Sequence, residues 1–211
     1  MFSCLPLRQT TPKMKISKNL IVIGAVLLLL FLIYNFFSGS YNNMVTYDEK
    51  VSSQWAMVEN AYQRRADLIP NLVNTVKGAA DFEKSTLEAV MKARAEATSV
   101  KLSAENLNDE AIAKFQKAQD GLSSALSRLL VSVENYPNLK ANQNFLELQA
   151  QLEGTENRIS VERGRFNEMV QGYNTYIRKF PRNLIAGMFG FEKKGYFKAQ
   201  VGSEKAPAVQ F

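Results

Sequence analysis

The sequence predicts an all-α protein: an N-terminal single transmembrane helix followed by an antiparallel (up-down) four-helix bundle with long helices. Three observations carry this expectation. An apolar run fills residues 20–37. Apolar residues beyond it recur at helical spacing, and no period-two segment longer than a few residues occurs. Glycine and proline are sparse, 11 and 6 in 211 residues, which suits long helices rather than many short strands.

The apolar run lies in "NLIVIGAVLLLLFLIYNFFSGS". From Leu20 to Phe37 it covers about 27 Å as a helix, close to the ~30 Å of a bilayer's hydrocarbon. Tyr34, Phe36 and Phe37 stand at its far end, where interfacial aromatics belong. Lys13, Lys15 and Lys18 flank the near side, whereas Lys50 beyond the span is matched by Asp48 and Glu49. The positive-inside rule therefore predicts a cytoplasmic N-terminus and an extracytoplasmic main domain, periplasmic or extracellular, over 41–211. Residues 1–19 read as a basic cytoplasmic leader, within which Met14 opens an ordinary short leader of its own and would make residues 1–13 artefactual. Ser38-Gly39-Ser40 would pass as a cleavage site, but the length of the run favours an uncleaved anchor. Cys4 does not sit at the end of the apolar run, so lipoprotein processing is not expected.

Composition narrows the function classes. There is no histidine, which removes the usual general base and the commonest metal ligand. The single cysteine permits neither an internal disulfide nor a thiolate metal site. The net charge of +6 resides at the ends: four cations and no acid in 1–40, seven cations against two acids in 178–211, and a slightly acidic body between. A nucleic-acid binder would spread its cations over a face of the body, so no nucleic-acid partner is expected.

Within the bundle domain, residues 41–180, Tyr47, Val51, Trp55, Val58 and Tyr62 mark one face of a first helix. Leu72, Val76, Ala79 or Ala80, Leu87, Val90 and Met91 mark a second. "SAENLNDEA" reads as a turn with Asn108 or Asp109 as N-cap. Ile112, Phe115, Leu122, Leu126, Leu129 and Val133 mark a third. "ENYPNL" breaks it, and a fourth helix is expected from Pro137 to about Phe180. There Leu152, Ile159, Phe166 and Tyr173 recur every seven residues, the repeat of left-handed bundle packing. Gln149, Glu156 and Arg163 alternate with them and read as a seam edge whose charged heads reach solvent. Trp55 and Tyr62 read as core.

"YQRRADLIPNLVNTVKG" interrupts the pattern. Pro70 suits a helix's first turn and is hostile to its middle. Asp67 can cap the helix that Pro70 opens, and Arg64 and Arg65 suit the end of the one before. The segment therefore reads as a structural corner made by Arg64, Arg65, Asp67, Pro70 and Asn71. The alternative is one long helix kinked at Pro70.

The block "YNNMVTYDEKVSSQWAMVENAYQRRADLIPNLVNTVKGAADFEKSTLEAVMKARAEATS" resembles the N-terminal signature of the LemA family. "YNTYIRKFPRNLIAGMFGFEKKGYFKA" resembles its C-terminal signature. The likeness covers roughly residues 20–211. It implies a bacterial-type, single-pass, membrane-anchored helical bundle, of a kind discussed as a scaffold or adaptor near membrane proteases, with a relative that acts in shaping magnetosome membranes; it does not imply an enzyme. The residues before Met14 depart from the family pattern.

No catalytic constellation competes with this reading. There is no G-x-S-x-G elbow, no phosphate loop and no calcium-loop spacing, and no cofactor is expected. The tail 181–211 is basic, glycine-rich and aromatic. Arg182, Phe189, Phe191, Lys193, Lys194, Tyr196, Phe197 and Phe211 are its candidate partner or lipid contacts. Three readings stand: "LIAGMF" covers one end of the bundle, the tail faces lipid, or it binds a partner. The terminal Val209-Gln210-Phe211 fits a PDZ-type carboxylate site. The expected function is a non-enzymatic membrane-anchored scaffold or adaptor for an envelope or membrane protein, with membrane shaping by self-association, as a homo-oligomer in contact with lipid, as the alternative.

Overall fold

A computed structural model describes residues 18–78 and 82–199. The elements are α1 (Lys18–Lys77), α2 (Lys84–Ser99), α3 (Asp109–Val133), the single turn α4 (Pro137–Lys140), α5 (Gln143–Arg178) and α6 (Arg182–Phe189). Among the described residues there is no strand.

The 60-residue α1 is about 90 Å long. Its first part is the apolar run, exposed from Leu20 to Phe37, and this is one helix long and apolar enough to cross a membrane. No break separates it from the rest. Through the polar stretch that follows, the side chains of Asn43 and Thr46 donate back to the carbonyls of Gly39 and Asn42, both at 2.8 Å. Ser40 is already buried.

The contacts give each helix a direction. Met44 and Val51 of α1 share a cluster with Ile177, Tyr173 and Val170 of α5, while Leu72 and Val76 share another with Phe145 and Leu152. These helices therefore run antiparallel along their common length. α2 lies back against α1 and α3: Arg94 reaches Ala66, and Ala97 meets Gln119. α3 runs parallel to α1, with Phe115 against Trp55 and Gln119 against Arg65. The cluster nearer the apolar run is aromatic and includes Trp55, Tyr62, Phe115, Phe166 and Phe197. The farther one is almost wholly aliphatic. The seam Leu152, Ile159, Phe166, Tyr173 is buried throughout, as its repeat requires.

Three boundaries differ from the sequence reading; one is the expected second stripe, whose Leu72 and Val76 belong to α1 and whose Leu87 and Val90 belong to α2, with Met91 exposed. The expected corner at 67–70 is absent, because α1 continues through Pro70 to Lys77. Proline removes the N–H that would bind the carbonyl of Ala66. Arg94 of α2 replaces it, its Nε donating to that carbonyl at 2.7 Å. The corner residues are correspondingly reassigned. Asp67 caps nothing and accepts from Gln63 at 2.7 Å. Arg64 and Asn71 lie exposed in mid-helix. Arg65 points inward and is 1% exposed. The helix ends instead near Gly78, whose N–H closes on Asn74 at 3.3 Å; Ala79 and Ala80, expected on the second stripe, lie outside the described residues. The fourth expected helix is also divided. α4 stops at Lys140, and Asn142 caps α5 by accepting from the Phe145 N–H at 3.2 Å. Of the two expected caps, Asn108 closes α3, accepting from the Ala111 N–H at 2.8 Å, and Asp109 is the first helical residue.

Candidate interaction site at the α6 end

The chain turns after α5 and α6 packs Ile185 and Ala186 onto the aromatic cluster. Gly190 then takes φ +75°, a left-handed conformation that glycine adopts without a Cβ penalty. The N–H of Phe191 returns to the Ala186 carbonyl at 3.0 Å, closing the helix end. From there residues 191–199 run extended along the body between α3 and α5, away from the apolar run.

Three side-chain amides hold this strap by its backbone. Asn174 accepts from the Lys194 N–H at 2.9 Å and donates to the Lys194 carbonyl at 2.8 Å. Asn167 does the same for Phe197, at 3.0 and 2.9 Å. Gln116 of α3 does it for Lys198, at 3.2 and 2.9 Å. The spacing follows from geometry: seven residues of helix rise about 10.5 Å, and three of extended chain about 10 Å. Each amide thus acts as one rung of a sheet neighbour, and at the buried Lys194 and Phe197 it satisfies a donor and an acceptor that would otherwise be unpaired.

Side chains complete the seat. Phe197 is 5% exposed, stacked on Trp55 at 6.1 Å and edge-on to Phe166 at 5.5 Å, with the Arg163 guanidinium 4.8 Å above it. Lys194 is buried, paired with Asp48 at 2.8 Å and donating to the Ala104 carbonyl at 3.1 Å. Lys193 pairs with Asp109 at 3.1 Å. Gly195 donates to the Leu107 carbonyl at 2.7 Å, and a Cβ there would stand 2.7 Å from the Asp109 backbone. The strap can approach this loop only as glycine.

The candidate contacts of the tail thus divide. Lys194 and Phe197 are committed inward, and Phe191 and Tyr196 pack against the aromatic cluster. Arg182 lies over the Tyr176 ring at 4.3 Å. Phe189 touches Tyr41 at 4.9 Å yet keeps 54% of its surface exposed. Phe211, with the rest of 200–211 and the PDZ-type ending, lies outside the described residues.

Polar residues on the seam behave unevenly. Gln149 is half-buried and bonds Glu153 at 3.0 Å. Arg163 donates to the Lys198 carbonyl at 2.9 Å. Glu156 accepts from Arg65 at 2.5 Å. Arg65 also donates to Ser123 at 2.7 Å and to the Gln119 side chain at 2.7 Å, so one buried guanidinium ties α1 to α3 and α5. Beside it, a cavity of about 300 Å³ opens among α1, α2 and α3, with Tyr62, Phe115 and Leu122 on its walls and Glu59 and Lys101 also lining it. Partial burial raises the Glu59 carboxyl above its ordinary range, with Trp55 opposing it. Among the described residues no group of three His, Cys, Asp or Glu could hold a metal.

The LemA family profile matches residues 54–211, and these include α5, α6 and the strap. The chain belongs to the LemA family. It is 27% identical over 177 residues to magnetosome protein MamQ 2 of Paramagnetospirillum magneticum, covering 75% of this chain and 64% of that one. It is 28% identical over 176 residues to magnetosome protein MamQ of Magnetospirillum gryphiswaldense, covering 74% and 64%. Protein LemA of Metamycoplasma hominis is 21% identical over 166 residues, covering 79% of this chain and 72% of that one. This LemA-family chain thus spans a little under two thirds of the MamQ proteins' length.

The strap amides escaped sequence reading. Their signal was present: Asn167 and Asn174 stand seven apart, each directly after a seam aromatic, Phe166 and Tyr173.

Proposed function

We propose that this LemA-family protein is a membrane-anchored, non-enzymatic helical scaffold or adaptor for envelope or membrane proteins, membrane-associated proteases among them, with its N-terminus cytoplasmic and its body outside. One observation supports this above the others: α1 is continuous from the exposed apolar run into the aromatic core. A body joined to its anchor by an unbroken helix is held at a set height and angle, as a platform for other proteins needs. Single exposed apolar side chains such as Met57, Val131 and Val161 are available on its flanks.

Photo-crosslinking in cells tests the reading, with the reactive residue placed in turn at Met57, Val131 and Val161. A scaffold gives one discrete protein adduct from one face, in an amount close to the anchored protein itself. Self-adducts alone would overturn it and favour membrane shaping by self-association, a reading that the magnetosome names of the MamQ relatives also favour. Purified full-length protein separates the two: a scaffold leaves liposome shape unchanged.

A further inference from the structure

α6 buries only part of its surface. Ile185 and Ala186 face the core, while Leu184, Met188 and Phe189 remain more than half exposed, and Phe180 just before the helix is 82% exposed. Four large apolar side chains are thus exposed within ten residues, a density that soluble surfaces rarely show. Their position is set by α1. Phe189 and Phe191 both lie against Tyr41, at 4.9 and 5.7 Å between ring centres. Tyr41 is four residues beyond Phe37, or about 6 Å along the helix axis. The segment therefore sits at the level where the apolar run ends. Its charge is one-sided: Arg178, Lys179 and Arg182 stand beside it, and no acid occurs between Glu168 and Glu192. Arg178 and Lys179 are exposed.

We infer that the outer face of α6 is a second membrane contact. Phe180, Leu184, Met188 and Phe189 enter the headgroup layer of the bilayer that α1 crosses, and Arg178 and Lys179 bind its anionic headgroups. An apolar face flanked by cations at the height of the interface is what an in-plane interfacial helix requires. The contact fixes the body's rotation about α1, which a single span alone leaves free. This inference goes beyond the scaffold reading and stands under either function; it rests only on α1 crossing the bilayer.

The test uses the full-length chain in nanodiscs, with Cys4→Ser as background and an environment-sensitive fluorophore at Leu28→Cys, Met188→Cys or Val131→Cys. In discs containing about a third anionic phosphatidylglycerol, headgroup spin-labelled lipid should quench the Met188 position about threefold more than Val131, at the opposite end of the body. Arg178→Gln with Lys179→Gln should return that quenching to its level in pure phosphatidylcholine. If Met188 behaves like Val131 while Leu28 is quenched from the hydrocarbon, the α6 contact is refuted and the anchor stands. If Met188 is shielded from aqueous iodide yet untouched by lipid quencher, the face is covered by protein and the inference also falls. If Leu28 itself lies outside the hydrocarbon, the anchor and the inference fail together.

Discussion

Pro70 and the strap 191–199 are both places where the backbone lacks its regular partners, and the body resolves them differently. At Pro70 one carbonyl is orphaned inside a helix, and one remote side chain, Arg94, supplies the missing donor. Along the strap a whole segment is without a sheet, and Gln116, Asn167 and Asn174 supply donors and acceptors in pairs. The first repair preserves an element; the second makes one. The difference lies in burial: the strap also carries Phe197 into the aromatic cluster, so its docking gains apolar contact as well as hydrogen bonds.

The largest effect should come from emptying that socket. Phe197→Ala is expected to cost about 3–5 kcal/mol, the usual range for a buried aromatic. Urea unfolding would measure it, and amide exchange at residues 194–198 should become fast before the rest of the body opens. A loss under 1 kcal/mol with the strap still protected, on the scale of surface changes, would mean that the ring is incidental.

Removing one amide isolates the hydrogen bonds. Asn174→Ala strands the buried N–H and C=O of Lys194, and each buried group left unsatisfied costs about 1–3 kcal/mol. Asn174→Asp keeps the acceptor and loses the donor, so it should fall between the wild type and Ala in melting temperature.

The Pro70 repair invites a double-mutant cycle. Arg94→Met should destabilise by about 1–2 kcal/mol through the orphaned Ala66 carbonyl. In a Pro70→Ala background the restored N–H takes that carbonyl, and the same change should cost about 1 kcal/mol less. Additive losses would show that Arg94 acts through packing alone.

Glu59→Gln should produce the smallest change. The Glu59 carboxyl titrates above its ordinary value of 4.5 in the folded chain, because burial disfavours its charge. An acid raised on folding lends stability below its unfolded pKa and loses it as pH rises through the folded one. Glu59→Gln should therefore flatten the decline in melting temperature as pH rises from the unfolded to the folded pKa and leave the rest of the profile intact. An unchanged profile would show that Glu59 is well solvated.

Much of the fold was legible because its signals are local. The apolar run, the stripe through Val51, Trp55 and Val58, and the sevenfold seam of α5 each depend on neighbours within a turn or two. Asn108 as a cap belongs to the same class. The candidate site was half legible: the aromatic tail announced that it must be covered, and Phe197 is. Its partners were not evident, because an asparagine in a helix reads alike whether it faces solvent or a strap.

By itself, then, the sequence determined an apolar helix, an all-helical body with apolar stripes and a tail too aromatic to remain in water. Periodicity and composition settle these, since hydrophobic burial needs only the right residues on one face. Tertiary structure decided that α1 runs through Pro70, that Arg65 turns inward, and that residues 191–199 lie between α3 and α5. Each of those depends on a hydrogen-bond partner distant in the chain, 28 positions for Arg94 and Ala66 and 82 for Gln116 and Lys198, and no local pattern encodes which remote group will arrive.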